Sequence, residues 1–142
     1  IGYHGNLFGG TMLSWLDEAG AIFACQACDT PRMVTKRISE VVFNKPVRPG
    51  QIIKIYGEVQ GVGNRSIIIR LEARRHSVYN GSQKTVLTTD MTFVRIDGDG
   101  EAIPISDKVK NKYPRTEEYK ETPIEYDDYS NEEKLYIIYG GD

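Results

Sequence analysis

The hydrophobic pattern changes character near residue 30. From Thr11 to Cys28 the chain reads Thr-Met-Leu-Ser-Trp-Leu-Asp-Glu-Ala-Gly-Ala-Ile-Phe-Ala-Cys-Gln-Ala-Cys, without proline. Apolar groups fall on nearly every side of a helix with that sequence, which predicts a long buried helix rather than a surface amphipath. Gly9-Gly10 precede it, Thr11 can act as its N-cap, and Thr30-Pro31 stop it. Four strand-like stretches follow, at roughly 33–43, 52–62, 66–78 and 84–96. The third alternates cleanly, with Ile67, Ile69, Leu71 and Ala73 on one face and Arg70, Glu72 and Arg74 on the other. The breaks are turn material: Pro46-Val47-Arg48-Pro49-Gly50, Gly61-Val62-Gly63-Asn64, Asn80-Gly81 and Asp97-Gly98-Asp99-Gly100. Asn80-Gly81 suits a two-residue hairpin turn in which both central residues take positive φ.

One buried helix followed by a meander of antiparallel strands requires the sheet to wrap the helix. The predicted class is therefore α+β, in the hotdog arrangement of a curved antiparallel sheet round one long helix. Such a sheet has open edges, and pairing edge to edge with a second copy removes them. A homodimer with a continuous sheet is expected.

Length and composition narrow this further. The 142 residues make one ordinary domain. Residues 1–106 hold 12 Lys/Arg against 10 Asp/Glu, whereas 107–142 hold 6 against 10 and six of the nine tyrosines. The second stretch reads as an acidic, Tyr-rich extension with one short helix at about 116–121. It has too few aliphatic residues to bury a core alone, and its tyrosines suit packing on another surface, such as a partner subunit. A net charge of −2 argues against a nucleic-acid or anionic-membrane partner. No apolar run approaches the roughly 20 residues of a membrane helix. The chain opens at Ile1 without a methionine or a leader, so it reads as trimmed at its start. Cys25 and Cys28 read as reduced thiols, which places the protein in the cytoplasm. They sit at the C-terminal end of the predicted helix, the wrong end to lower a thiol pKa, and no second pair exists to complete a zinc site.

Asp17 is the first chemical candidate: a carboxylate among apolar helix positions is kept where it is paired or where it works. The second is Asn6-Leu7-Phe8-Gly9-Gly10. Two glycines before a helix allow another molecule close to its unsatisfied N–H groups, which suit an anion or a developing oxyanion. Asn6 adds an amide able to hold a water or polarise a carbonyl. Gly10 and Asp17 lie about 10 Å apart along a helix, too far for one carbonyl to touch both. Two antiparallel helices at a dimer interface would bring Gly10 of one beside Asp17 of the other, so the expected site is composite.

The run Asn6-Leu7-Phe8-Gly9-Gly10-Thr11-Met12-Leu13-Ser14-Trp15-Leu16-Asp17-Glu18-Ala19-Gly20-Ala21, followed by Phe43-Asn44-Lys45-Pro46-Val47-Arg48-Pro49-Gly50, resembles the hotdog-fold acyl-CoA thioesterases over residues 3–105. The likeness is to the bacterial acyl-CoA thioester hydrolases and the cytosolic long-chain acyl-CoA hydrolases. It implies hydrolysis of fatty acyl-CoA to free acid and CoA. Asp17 would be base or nucleophile, Gly10 would offer its amide to the thioester oxygen, and Asn6 would orient thioester or water. Gly9 would line the substrate site. Gly63-Asn64-Arg65-Ser66 resembles the family's loop at the CoA site, with Arg65 facing a phosphate and Ser66 giving a hydrogen bond. The resemblance implies no metal and no cofactor beyond the CoA of the substrate, dimers that assemble further into hexamers, and a first strand lying before Ile1. Two other readings compete. A 3-hydroxyacyl thioester hydratase or dehydratase needs a helix histidine, and neither His4 nor His76 lies there. A non-catalytic acyl-CoA-binding module would lack the helix carboxylate.

Overall fold

The computed structural model of the chain describes residues 9–48 and 50–115, together with the backbone of 135–140. The described elements run α1 (Gly9–Cys28), β1 (Met33–Ile38), β2 (Gln51–Val62), β3 (Ser66–Ser77), β4 (Gln83–Arg95), α2 (Asp107–Lys112) and β5 (Leu135–Gly140). The strands form one antiparallel sheet in the order β1-β4-β3-β2-β5. Helix α1 touches all five strands, so the sheet reaches round it from both sides. This is the hotdog arrangement expected from the pattern.

The inward face of β3 is the predicted one: Ile67, Ile69, Leu71 and Ala73 are buried beneath α1. Helix and sheet approach closely. A Cβ at Gly57 would collide with the Phe23 ring, and one at Gly20 would stand 2.8 Å from Phe93 Cζ. Small residues at these two positions let the helix lie almost on the strand backbones.

The helix is not covered all round. Met12, Leu16, Ala19, Gly20, Phe23, Ala24 and Cys28 form its buried stripe, while Ser14, Asp17, Glu18 and Ile22 are exposed. Within one protomer α1 therefore packs as a surface helix, and its remaining apolar groups await other cover. The helix already begins at Gly9, which puts Thr11 inside the first turn rather than at the cap. Its C-terminus closes in a Schellman motif: Asp29 adopts φ 54°, and the Thr30 N–H donates to the Cys25 carbonyl at 3.2 Å. An aspartate there carries both the strain of a left-handed backbone and a charge opposed by the helix dipole. Asp29→Gly is expected to raise unfolding stability by about 0.5–1 kcal/mol, read from urea midpoints at one protein concentration.

The strands at 51–62, 66–77 and 83–95 match expectation within a residue, whereas the first ends at Ile38 instead of 43. Beyond Ile38 the chain leaves β4: Ser39 N–H still reaches the Asp90 carbonyl, and Asn44 N–H reaches that of Val86. The Asn80-Gly81 connection is also not the two-residue turn predicted. It is a longer loop in which only Gly81 has positive φ, at 71°. The Asn80 side chain instead accepts from Ser82 N–H at 2.9 Å, capping the loop locally.

The extension behaves differently from expectation. Ile105 and Val109 are core residues at 2% exposure each, so the chain beyond 106 begins by closing this protomer's own core. Backbone pairing then places β5 on β2, with Ile55 opposite Ile137. The short helix expected at about 116–121 lies outside the described residues.

The outward face of β3 holds charge that is buried. The Arg70 Nε and Nη2 groups donate to the two carboxylate oxygens of Asp90 at 2.6 and 2.7 Å. Arg74 makes the same two-pronged contact with Glu72 at 2.9 Å each. Thr85 donates to Glu72 at 2.6 Å, and the Arg74 guanidinium lies 4.2 Å from the centre of the Tyr56 ring. These pairs satisfy the carboxylates that burial would otherwise make costly.

Candidate active site

At the N-terminal end of α1 the segment 43–47 folds back over the helix. Asn44 is held to Val86 by the backbone bond above, and Arg75 Nη1 donates to the Pro46 carbonyl at 2.7 Å. Phe43 then packs against Gly9, where a Cβ would stand 3.3 Å from its ring. The result is a cleft of about 230 Å³ lined by Gly9, Met12, Phe43, Asn44, Lys45, Pro46, Val47 and Val86. Gly10 lies beside it with nothing within 4 Å of its open side. As one of the first four residues of the helix, it has an N–H with no acceptor inside the helix. The two halves of the sequence motif, the glycine pair and Phe43–Val47, thus meet in one place. Asn6 and His4 lie outside the described residues.

Asp17 lies two turns further along, on the uncovered side of α1. Its carboxylate is exposed in the protomer, contrary to the burial expected for it, and accepts a hydrogen bond of 2.6 Å from the Thr35 hydroxyl of β1. Thr35 has no signature in the sequence that links it to Asp17. It reaches the carboxylate because β1 runs back alongside α1, with a register shift between Thr35 and Arg37. Ile22 on α1, Val34 and Ile38 on β1, and Val42 and Phe43 beyond it are each more than 40% exposed. Among the described strands β1 is also a sheet edge, paired on one side only, by β4.

The remaining sequence candidates fall elsewhere. Gly63-Asn64-Arg65-Ser66 form the β2–β3 turn, and Arg95 N–H donates to the Arg65 carbonyl. Arg95 pairs with Met33, just past the C-terminal end of α1. The turn therefore stands at the opposite end of the helix from Gly10, about 30 Å away by the length of a 20-residue helix. One protomer brings Gly9 and Gly10 together with the 43–47 segment. It does not bring either glycine to Asp17 or to the turn.

The cysteine pair takes no part. Burial, with Cys25 alongside, pushes the Cys28 thiol up from 9.0 to about 11, against a smaller opposing effect of Arg95. A thiol in that state is a poor nucleophile. Because the folded protein holds this proton more tightly than the unfolded chain, stability is unaffected below pH 9 and falls as pH rises from 9 to 11. Cys28→Ala is expected to flatten that alkaline loss in denaturant titrations at pH 8, 9.5 and 11. No His, Cys, Asp and Glu cluster with metal-binding geometry exists among the described residues. Among them too, no helix is long and apolar enough to cross a membrane.

Comparison with known proteins agrees with this architecture. Residues 4–82 match the model of the thioesterase superfamily. A Bacillus subtilis protein, named as an uncharacterized acyl-CoA thioester hydrolase, YkhA, is 29% identical over 115 residues, 81% of this chain. The chain spans 64% of that protein's length and the same share of a Haemophilus influenzae relative. Cj0915, a hexameric hotdog fold thioesterase of Campylobacter jejuni, superposes with a TM-score of 0.72 at 37% identity, over 79% of this chain and 86% of that one. HI0827, a hexameric broad specificity acyl-coenzyme A thioesterase solved as its Asp44Ala mutant, gives 0.73 at 29% identity, over 79% and 84%. By sequence and by fold, then, the chain belongs to the thioesterase superfamily.

Proposed function

We propose that the chain hydrolyses acyl-CoA to the free acid and CoA at a site shared by two antiparallel copies, Asp17 of one facing Gly10 of the other. The observation that carries this reading is the setting of Asp17. Its carboxylate is bonded by Thr35 of β1 on a helix face that the protomer leaves uncovered, while Val34 and Ile38 of the same strand are exposed and β1 ends the sheet among the described residues. A second copy meeting that edge would exclude water and supply the glycine pair that Asp17's own helix carries at too great a distance.

The chemistry then follows from the groups present. The thioester oxygen accepts the Gly10 N–H, which lacks an acceptor within its helix and is aided by the helix dipole. Asp17 either takes a proton from a water as that water adds to the carbonyl carbon, or adds itself and is released by water. In both cases the C–S bond breaks, the acid remains, and the CoA thiolate leaves and is protonated. Asn6 would hold the water or the thioester. The hexameric state of the solved relatives supports further assembly of such dimers. The free cysteines support a reducing compartment, the cytoplasm.

The test follows free thiol release from acyl-CoAs of several chain lengths, then mixes two inactive forms, Asn6→Ala and Asp17→Asn. In a composite site one of the two sites in a mixed dimer keeps both native groups, so activity returns on mixing. No thiol release from any acyl-CoA sinks the activity, and no recovery in verified mixed dimers sinks the shared site.

A further inference from the structure

We infer that Val86, placed in the cleft by a β-bulge, sets the longest acyl chain that the enzyme accepts, and that its substrates are acyl-CoAs of short to medium chain. This rests on the acyl-CoA reading above. With the thioester oxygen on the Gly10 N–H, the two arms of the substrate part at the mouth of the cleft. The CoA arm is long and charged and needs water, whereas the acyl arm needs apolar cover. Met12, Val47 and Val86 supply that cover as the buried floor of the cleft, and the segment 43–46 forms its exposed rim. The floor is closed and carries no polar side chain. A volume of about 230 Å³ holds roughly eight carbon atoms, each taken at the ~30 Å³ that a water molecule occupies in the liquid. A palmitoyl chain does not fit.

Val86 reaches that floor through an irregularity of its strand. The β3–β4 register pairs Ala73 with Leu87 and then Arg74 with Thr85, so Val86 is an extra residue with no partner on β3. Bulges of this kind re-aim side chains and recur beside active sites. Thr85 bonds Glu72 on the outward face, while the two residues after it, Val86 and Leu87, are both buried. Strict alternation would give the helix side only one of them. Leu87, opposite Ala73, keeps the core face, and Val86 goes to the cleft beside Gly9 and Met12. The Val86 carbonyl also accepts the Asn44 N–H at 2.8 Å, so the same residue holds the rim through its backbone and closes the floor with its side chain. A side-chain substitution therefore changes the depth and leaves the rim bond in place. Of the floor residues, Met12 is unbranched and can give way to a ligand, whereas β-branched Val86 is stiff.

The experiment uses the whole chain and measures kcat/KM for saturated acyl-CoAs from butyryl to palmitoyl. Calorimetry on S-alkyl-CoA thioethers of the same lengths, which are not hydrolysed, gives the affinity separately. In the parent both should rise by up to about fourfold per added methylene and then break off at the length that fills the cleft. Val86→Ala removes two methyl groups from the floor and should move the break towards longer chains by that much, raising the decanoyl-to-hexanoyl ratio about tenfold. Val86→Ile adds one methylene and should move the break the other way. Val109→Ala makes the same deletion at a buried residue of α2 outside the cleft and should leave the break in place. Melting curves verify folding, and Val86→Ile decides alone if the alanine form does not fold. A parent with no break up to palmitoyl overturns the proposal, as does a break that the folded Val86 variants leave in place or that Val109→Ala moves equally. If the parent cleaves no acyl-CoA, the thioesterase reading fails alone, and the thioether series still decides this one: no binding, or a break that the folded Val86 variants do not move, sinks it.

Discussion

Asp17→Asn is expected to lower kcat for acyl-CoA about 10²–10⁴-fold, the usual span for removing a positioned general base, while KM stays within a few-fold. Asparagine has nearly the same shape and keeps an oxygen for the Thr35 hydroxyl, so the local geometry survives and only the charge is lost. Because Asp17 is exposed in the protomer, the substitution should change stability by no more than about 0.5 kcal/mol. Activity loss at an unchanged melting temperature therefore separates a chemical role from a structural one. A variant retaining kcat within threefold of the parent would remove Asp17 from the mechanism. Loss of activity together with dissociation of the oligomer would instead assign the carboxylate to the interface.

Arg70→Met is expected to cost about 3–5 kcal/mol of unfolding free energy, the largest stability effect of any single change considered. Asp90 is 2% exposed, and both its carboxylate oxygens are bonded to Arg70. Removing the arginine strands a charge on the outward face of the central strand, where Asp90 lies directly opposite residue 70. Adding Asp90→Leu to Arg70→Met should restore most of the loss, since an apolar pair of similar volume no longer pays for desolvating ions. Denaturant unfolding of the two single variants and the double variant, at equal protomer concentration, measures the coupling. Additive costs would show that the pair is not the unit of stability.

The α+β class, the long helix and three of its four following strands were legible in the sequence because each rests on a local period. In β3 the alternation also identified the core face. The pairing of the glycine motif with Phe43–Val47 was legible only as resemblance; their meeting over the cleft depends on Arg75 and Val86, far along the chain. Other features left no local trace. The first strand stops at Ile38, beyond which the Ser39 and Asn44 N–H groups reach β4 carbonyls singly rather than as a ladder, although the side chains of 39–43 would suit a strand. Helix α1 looked buried all round because apolar character does not say what covers it. In the protomer a single stripe is enough to meet the sheet, and Asp17 falls outside that stripe. Residues 107–113 seemed too polar to build a core, yet Val109 and Tyr113 pack on an existing one.

Composition and period by themselves determined the class of fold, the order of its elements and the candidates for its chemistry, since these depend on neighbours within a few positions. Only the tertiary structure decided that Thr35 orients Asp17, that β5 lies on β2, and that the CoA-like turn stands at the far end of the helix from Gly10. Those are contacts between residues remote in the chain, set by how strands stack and where the sheet ends, and no local pattern encodes them.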